Sequence, residues 1–195
     1  MTEFRELKWL FLVLALFSIL QSCAGTKSRL SPQRPVQEPA QTAASARQHV
    51  HAGEYQSAIN DYSAEYRSRP HDQALVKEYV RSLEDIKAVA DKASDKKAFA
   101  SAGKAYNVLL KNYSCFKGFA QMLSFDRADL NTKRSQCKQL LSTQGFQEYR
   151  EGNLSEAIAL WQSLLSIDPN DADIKAAVRT ATLQQKNLQE KAARR

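Results

Sequence analysis

The chain has 195 residues and a mass of 21.9 kDa, which suits one domain with tails or a short array of repeats. Hydrophobic residues make up 43% and charged residues 25% of the chain, close to the averages of globular proteins, so wholesale disorder is excluded. Six glycines and five prolines are too few for the closely spaced turns of a β-sandwich or β-barrel. The abundance of Ala, Leu, Gln, Lys and Glu therefore predicts an all-α fold.

The net charge of +7 comes from 28 Lys and Arg residues against 21 Asp and Glu residues. The basic residues often stand three or four positions from an acid, as Lys87 does from Glu84. This spacing is typical of the solvated face of a helix rather than of a nucleic-acid-binding patch. We therefore expect no nucleic-acid partner.

The beginning of the chain has the pattern of an export signal. An apolar run over 9–20 is too short for a membrane-spanning helix, which needs about 20 residues, and suits a signal peptide. The run ends in Leu-Gln-Ser-Cys at 20–23. An aliphatic residue three positions before a cysteine and a small residue directly before it resemble the lipobox of bacterial lipoproteins. The resemblance implies that 1–22 is a cleaved signal peptide and that Cys23 carries acyl chains, palmitate among them, as a membrane anchor.

Two other interpretations of this segment stay open, an uncleaved N-terminal anchor and an ordinary secretory signal. Residue 24 is Ala rather than Asp. By the sorting rule of the same lipoproteins, this implies the outer membrane, with the folded domain in the periplasm. Residues 23–39 contain three prolines and no apolar periodicity, so we expect a semi-extended tether after the lipidated cysteine. A disordered tail is the other interpretation of these residues.

Two segments further along the chain, 53–72 and 152–171, align without a gap. They share a glycine, a bulky residue two positions later, an Ala-Ile pair, an aromatic residue four positions after the alanine, and a proline eight positions after the aromatic residue. Glycine suits the tight turn between two helices, alanine suits a close helix crossing, and proline ends the second helix.

This pattern resembles the second half of a tetratricopeptide repeat, a 34-residue helix-turn-helix unit. The resemblance implies repeats at 39–72 and 138–171, with Ala46 and Gly145 in the small-residue position of each first helix. It also implies that residues 40–191 form an all-α superhelical array of such units.

Between the two repeats, apolar residues at spacings of three and four predict a helix over 73–93. Ser94 and Asp95 are candidate N-caps for a second helix, which can continue as far as Met122. Asp129 is a candidate cap for a long helix that ends near residue 150. Residues 172–191 are similar to the capping helix that covers the last repeat of such arrays.

No motif in the sequence predicts catalysis or a metal site. His49 and His51 stand two positions apart on a predicted helix, so they face different sides and lack the spacing of a zinc site. The sequence also lacks a Gly-rich phosphate loop, a Gly-x-Ser-x-Gly motif and a Cys-x-x-Cys motif. We therefore expect no enzyme activity, no cofactor, no metal and no small-molecule substrate.

The tetratricopeptide resemblance implies that the first helix of each pair lines a concave groove for a protein or peptide partner. The matching positions are Arg47, Val50 and His51 in the first repeat, and Gln139, Ser142, Phe146, Tyr149 and Arg150 in the last. Tyr149 and Arg150 are the leading candidates, because Tyr and Arg are enriched at binding hot spots. The other interpretation is that Phe146 and Tyr149 pack against the neighbouring helix.

Together these features predict a lipid-anchored scaffold or adaptor of the bacterial cell envelope that binds a partner protein in a helical groove. The alternative is a non-catalytic regulatory subunit of an envelope enzyme, for example one of wall synthesis or secretion.

The remaining two cysteines also carry a prediction. If Cys23 is acylated, Cys115 and Cys137 are left as an even pair in an oxidising compartment. An antiparallel hairpin that turns near residues 125 and 126 would bring them to the same height on neighbouring helices. A disulfide between them is then possible, if the helix rotation allows it. Two buried free thiols are the other interpretation.

Overall fold

The structure is a computed structural model that describes residues 39–194, with side chains from residue 44 onwards. The predicted signal peptide, Cys23 and the tether before residue 39 lie outside the described residues. All secondary structure within 39–194 is helical, which confirms the predicted all-α fold. The helices are α1 (Pro39–Ala52), α2 (Tyr55–Ser68), α3 (Gln73–Asp95), α4 (Phe99–Lys111), α5 (Tyr113–Phe116), a 3-10 helix (Lys117–Met122), α6 (Arg127–Glu151), α7 (Leu154–Ile167) and α8 (Ala172–Ala193).

Glycine and aspartate set the ends of the helices in the two predicted repeats. Gly53 and Gly152 adopt left-handed φ values of 78° and 86° in the turns that follow α1 and α6, as the sequence predicts. Asp72 caps α3 by accepting hydrogen bonds from the backbone N–H groups of residues 74 and 75. Asp171 caps α8 through the N–H of residue 174. These local signals are strong enough to be read from the sequence alone.

The helices between the repeats differ from the prediction at their ends. Helix α3 runs through Ser94 and Asp95, so these residues do not cap the next helix. The chain instead turns at Lys97, which has a left-handed φ of 61°, and α4 begins at Phe99 without a side-chain cap. Helix α6 begins at Arg127 and is capped by Asp126, not by Asp129, because the Asp126 carboxylate accepts the N–H of Asp129 at 2.8 Å.

The predicted continuation of the second helix to Met122 is wrong, because α4 ends at Lys111. The Asn112 side chain donates a hydrogen bond to the Val108 carbonyl at 2.8 Å and exchanges two amide hydrogen bonds with Gln56 of α2. After this break, α5 and the 3-10 helix bring Phe116 and Phe119 against Tyr79 of α3. Burial of both phenylalanine rings offsets the loss of a continuous helix.

The helices pack in successive pairs. Helix α1 packs against α2, α3 against α4, and α6 against α7. Contacts of α2 with α3, and of α4 with α6 and α7, join each pair to the next, and α8 packs on α7. Helix α1 also packs directly on α3, which brings the first helices of two successive pairs side by side. Their outer faces form the groove described below.

Small residues allow the close crossings of these helices. Ala46 of α1, Ala58 of α2 and Ala157 of α7 are fully buried. At Gly145 of α6, a Cβ atom would come within 2.4 Å of the indole nitrogen of Trp161. The predicted small-residue positions in α1 and α6 are therefore confirmed as buried positions that have little room for a larger side chain.

One half-buried carboxylate ties α3, α4 and α6 together. Asp91 accepts hydrogen bonds from Lys87 at 2.7 Å and Tyr106 at 2.6 Å, and pairs with Lys133 at 3.1 Å. Although burial raises the pKa of Asp91, these hydrogen bonds lower it to about 2. Burial and the same hydrogen bond raise the pKa of Tyr106. Asp91 is thus ionised at neutral pH and has a structural role.

Candidate binding groove

A groove of about 720 Å³ lies between the C-terminal part of α1, the turn into α2 and the outer face of α3. Its volume is within the usual range of ligand sites, about 300–1,000 Å³. The residues that line it are Arg47, Val50, His51, Ala52, Gly53, Tyr55, Arg81, Ser82, Asp85, Ala88, Val89 and Lys92.

The floor of the groove is apolar. Val50 and Tyr55 contribute buried or half-buried side chains from α1 and α2. Val89 is 44% exposed, a high value for a valine on a helix that otherwise buries its apolar stripe. Ala88 beside it adds a small side chain that leaves the groove open. An apolar side chain of a partner would therefore find a matching surface here.

A buried hydroxyl without a hydrogen-bond partner also borders the groove. Ser82 is only 4% exposed, and its Oγ has no hydrogen-bond partner among the described residues. A helical serine usually returns its hydroxyl to the carbonyl four positions earlier, but Ser82 does not. Leaving such a group unpaired costs roughly 1–3 kcal/mol.

The rim of the groove is basic. Arg81 and Lys92 are exposed on α3, and neither side chain forms an ion pair or a hydrogen bond within residues 44–194. Arg47 differs from them, because it pairs with Glu78 at 2.9 Å. Asp85 is the acidic residue of the lining and stands between the two basic residues on α3. The lining therefore carries more positive than negative charge.

The structure brings the three predicted residues of the first repeat to this groove. Arg47 and His51 are exposed at its rim. Val50 also borders the groove but is only 9% exposed and belongs to the hydrophobic core, so it supports the floor more than it offers a contact surface. The α3 side of the groove, where Arg81, Ser82 and Lys92 lie, is not among the residues predicted from the sequence.

The predicted residues of the last repeat do not line one common groove. Gln139 and Ser142 border a smaller cavity of about 250 Å³, where Lys138 pairs with Asp168. Arg150 is exposed outside this cavity.

Phe146 and Tyr149 pack against the neighbouring helix α7, the second interpretation given above. Their rings lie 5.0 Å and 5.8 Å from that of Trp161. Tyr149 also donates a hydrogen bond to Gln184 of α8 at 2.9 Å. Phe146 nevertheless keeps 40% of its surface exposed.

Cys115 and Cys137 are both free in this structure, which favours the second interpretation, two free thiols, over the possible disulfide. Cys115 lies in α5 and borders a small cavity with Tyr66 and Arg67 of α2. Cys137 is 1% exposed in α6, next to Gly103 of α4, and burial raises the pKa of its thiol. The antiparallel hairpin that would bring the two cysteines to the same height does not form. Helix α4 ends before residue 112, and α5 turns towards α2 and α3.

The part of the chain from 39 to 194 contains no helix long and apolar enough to cross a membrane. Within the same residues, no group of three or more His, Cys, Asp or Glu side chains could hold a metal ion. The chain matches no protein-family model, no curated protein and no solved structure at a significant level.

Proposed function

We propose that this chain is a lipid-anchored adaptor of the bacterial cell envelope that binds a segment of a partner protein between α1 and α3. The observation that carries the proposal is the groove itself. Arg47, Val50 and His51, which the tetratricopeptide resemblance implied, border the same 720 Å³ space as the exposed face of α3. An open groove with an apolar floor and a charged rim suits a polypeptide better than a buried small molecule.

We further propose that the helix pairs form a tetratricopeptide-type array with α8 as its capping helix. Three observations support this proposal. Gly53 and Gly152 are left-handed at equivalent turns. Ala46 and Gly145 are buried at equivalent helix crossings. Each pair packs on the next in chain order, as repeat arrays do.

The location is proposed from the sequence. A lipidated Cys23 followed by Ala24 would hold the protein at the outer membrane, facing the periplasm, and the Pro-rich tether would separate the groove from the bilayer.

Site-specific photocrosslinking in the native host tests the proposal. A photoreactive residue at Ala88 lies in the groove, whereas one at Ala64 of α2 is exposed outside it and serves as the matched control. We expect the Ala88 position to give a discrete adduct with a partner that the Ala64 position does not give. The adduct should disappear when Val89→Trp fills the groove. The same adducts from both positions would refute partner binding in this groove.

A further inference from the structure

We propose that the groove between α1 and α3 selects an extended, acidic protein segment with the pattern acid-x-apolar-x-acid. This inference rests on the proposed function and specifies the chemistry of the partner. It is carried by the arrangement of charge and apolar surface along α3.

Two unpaired basic side chains mark the ends of the groove on α3. Arg81 and Lys92 are 11 positions apart, which corresponds to about 16 Å along a helix. Neither has an acidic partner within residues 44–194. Free, exposed cations at both ends of a groove favour carboxylates at matching positions of the ligand.

The spacing fits an extended segment of five residues. Residues i and i+4 of an extended chain share one face and lie about 13 Å apart. The remaining 3 Å is within the reach of the long, flexible Arg and Lys side chains. The residue at i+2 then points to the same face near the middle of the groove, between Asp85 and Ala88, so an uncharged, apolar side chain that reaches Ala88 and Val89 is favoured there.

Asp85, the acidic residue of the groove, supports the same order of charges in the ligand, with acids at its ends and none at its centre. Asp85 stands one turn after Arg81, about 6 Å along the helix. It disfavours a carboxylate near the middle of the ligand and can accept a hydrogen bond from a backbone N–H. The centre of the groove therefore repels acids that its ends attract.

Charge argues against the chain's own tether as the occupant. Residues 24–38 carry Lys27, Arg29 and Arg34 against a single acid, Glu38. A segment with this charge would be repelled by Arg81 and Lys92. A partner segment rich in Asp or Glu is complementary.

The test uses the full-length chain in detergent and the peptide Asp-Ala-Leu-Ala-Asp, blocked at both ends and displayed on a biosensor surface. Control peptides carry Ser or Lys in place of both Asp residues. The charge-reversed variant is Arg81→Glu/Lys92→Glu. Its matched control is Lys77→Glu/Lys175→Glu, which changes the net charge equally at exposed positions outside the groove.

We expect the wild type to bind the Asp peptide at least tenfold more tightly than the Ser or Lys peptide. The charge-reversed variant should lose this preference and bind the Lys peptide instead, whereas the control variant keeps the wild-type order. Equal weakening by both variants, or no binding of the Asp peptide, would overturn the proposal. If the Ser peptide binds as well as the Asp peptide and Val89→Trp blocks both, the groove remains a binding site and only the acidic preference is refuted.

Discussion

Gly145→Ala provides the sharpest test of how the last helix pair packs. A Cβ at this position would lie 2.4 Å from the indole nitrogen of Trp161, 2.7 Å from Cδ1 and 3.0 Å from Cε2. Trp161 is 1% exposed, and the rings of Phe146 and Tyr149 lie against it, so the indole has little room to shift. The added methyl must therefore separate α6 from α7.

The expected magnitude combines two opposing terms. Replacing a mid-helix glycine by alanine stabilises the folded state by about 0.5–1 kcal/mol. Overpacking usually costs about 1–3 kcal/mol, and the rigid indole places this site at the upper end of that range. We therefore expect a net loss of about 2 kcal/mol in the free energy of unfolding. For a domain of this size, the loss corresponds to a fall of roughly 4–8 °C in Tm.

Gly103→Ala is the matched control. Its Cβ would meet the Cδ1 of Ile167 at 2.4 Å, but this terminal methyl can rotate away, and the next contacts are at 3.2 Å and 3.3 Å. The helix-propensity gain and a small packing cost should nearly cancel. Urea unfolding followed by circular dichroism at 222 nm measures both variants. A Gly145→Ala variant that is as stable as the wild type, or no less stable than Gly103→Ala, would refute the packing of Trp161 on Gly145.

The other predictions concern the anchor, one carboxylate and the cysteines. Cys23→Ser should leave an unprocessed precursor and abolish labelling by a fatty-acid probe, and equal labelling of both proteins would contradict lipidation. Asp91 has a folded-state pKa of about 2, below its ordinary value of 3.8, so its contribution is complete above pH 3.8 and is lost as the pH falls towards 2. By urea unfolding, the loss of unfolding free energy between pH 6 and pH 2.5 should be about 1 kcal/mol larger in the wild type than in Asp91→Asn, a figure already reduced for solvent screening. Mass spectrometry of the unreduced protein, alkylated after denaturation, should find both Cys115 and Cys137 labelled. In the folded protein, Cys115 should react faster than the buried Cys137. A product without these labels would contradict free thiols.

The parts of the fold that the sequence predicts depend on local signals. Gly53 and Gly152, which were predicted in the turns after the first helix of each pair, act through their own backbone conformation. The end of α4 is different, because it depends on a hydrogen-bonded pair between Asn112 and Gln56, which are 56 positions apart. Periodicity within one segment cannot indicate such a partner, so the predicted helix runs beyond the observed end of α4. The possible disulfide rested on the same uninterrupted helix.

The two sides of the groove also differ in whether a local sequence signal predicts them. The α1 side could be predicted because residues 39–72 carry a glycine and a proline that set the alignment of the repeat. The α3 and α4 pair has no glycine in its turn and no proline after it, so Arg81, Ser82 and Lys92 could not be assigned to repeat positions. A signal was nevertheless present, because residues 81, 85, 88 and 92 form an exposed stripe opposite the buried stripe of Leu75, Tyr79, Leu83, Ile86 and Ala90.

The position of the groove follows from which first helices lie side by side. Helix α1 packs directly on α3, and the space between their outer faces stays open, with the short residues Ala52, Gly53 and Ala88 in its lining. Helix α6 has a different neighbour, because α8 follows its pair and reaches back to Tyr149 through Gln184. The aromatic residues of α6 are therefore used to hold Trp161 and α8 in place. The same sequence pattern thus leaves an open groove beside residues 39–72 and a packed end at residues 138–171.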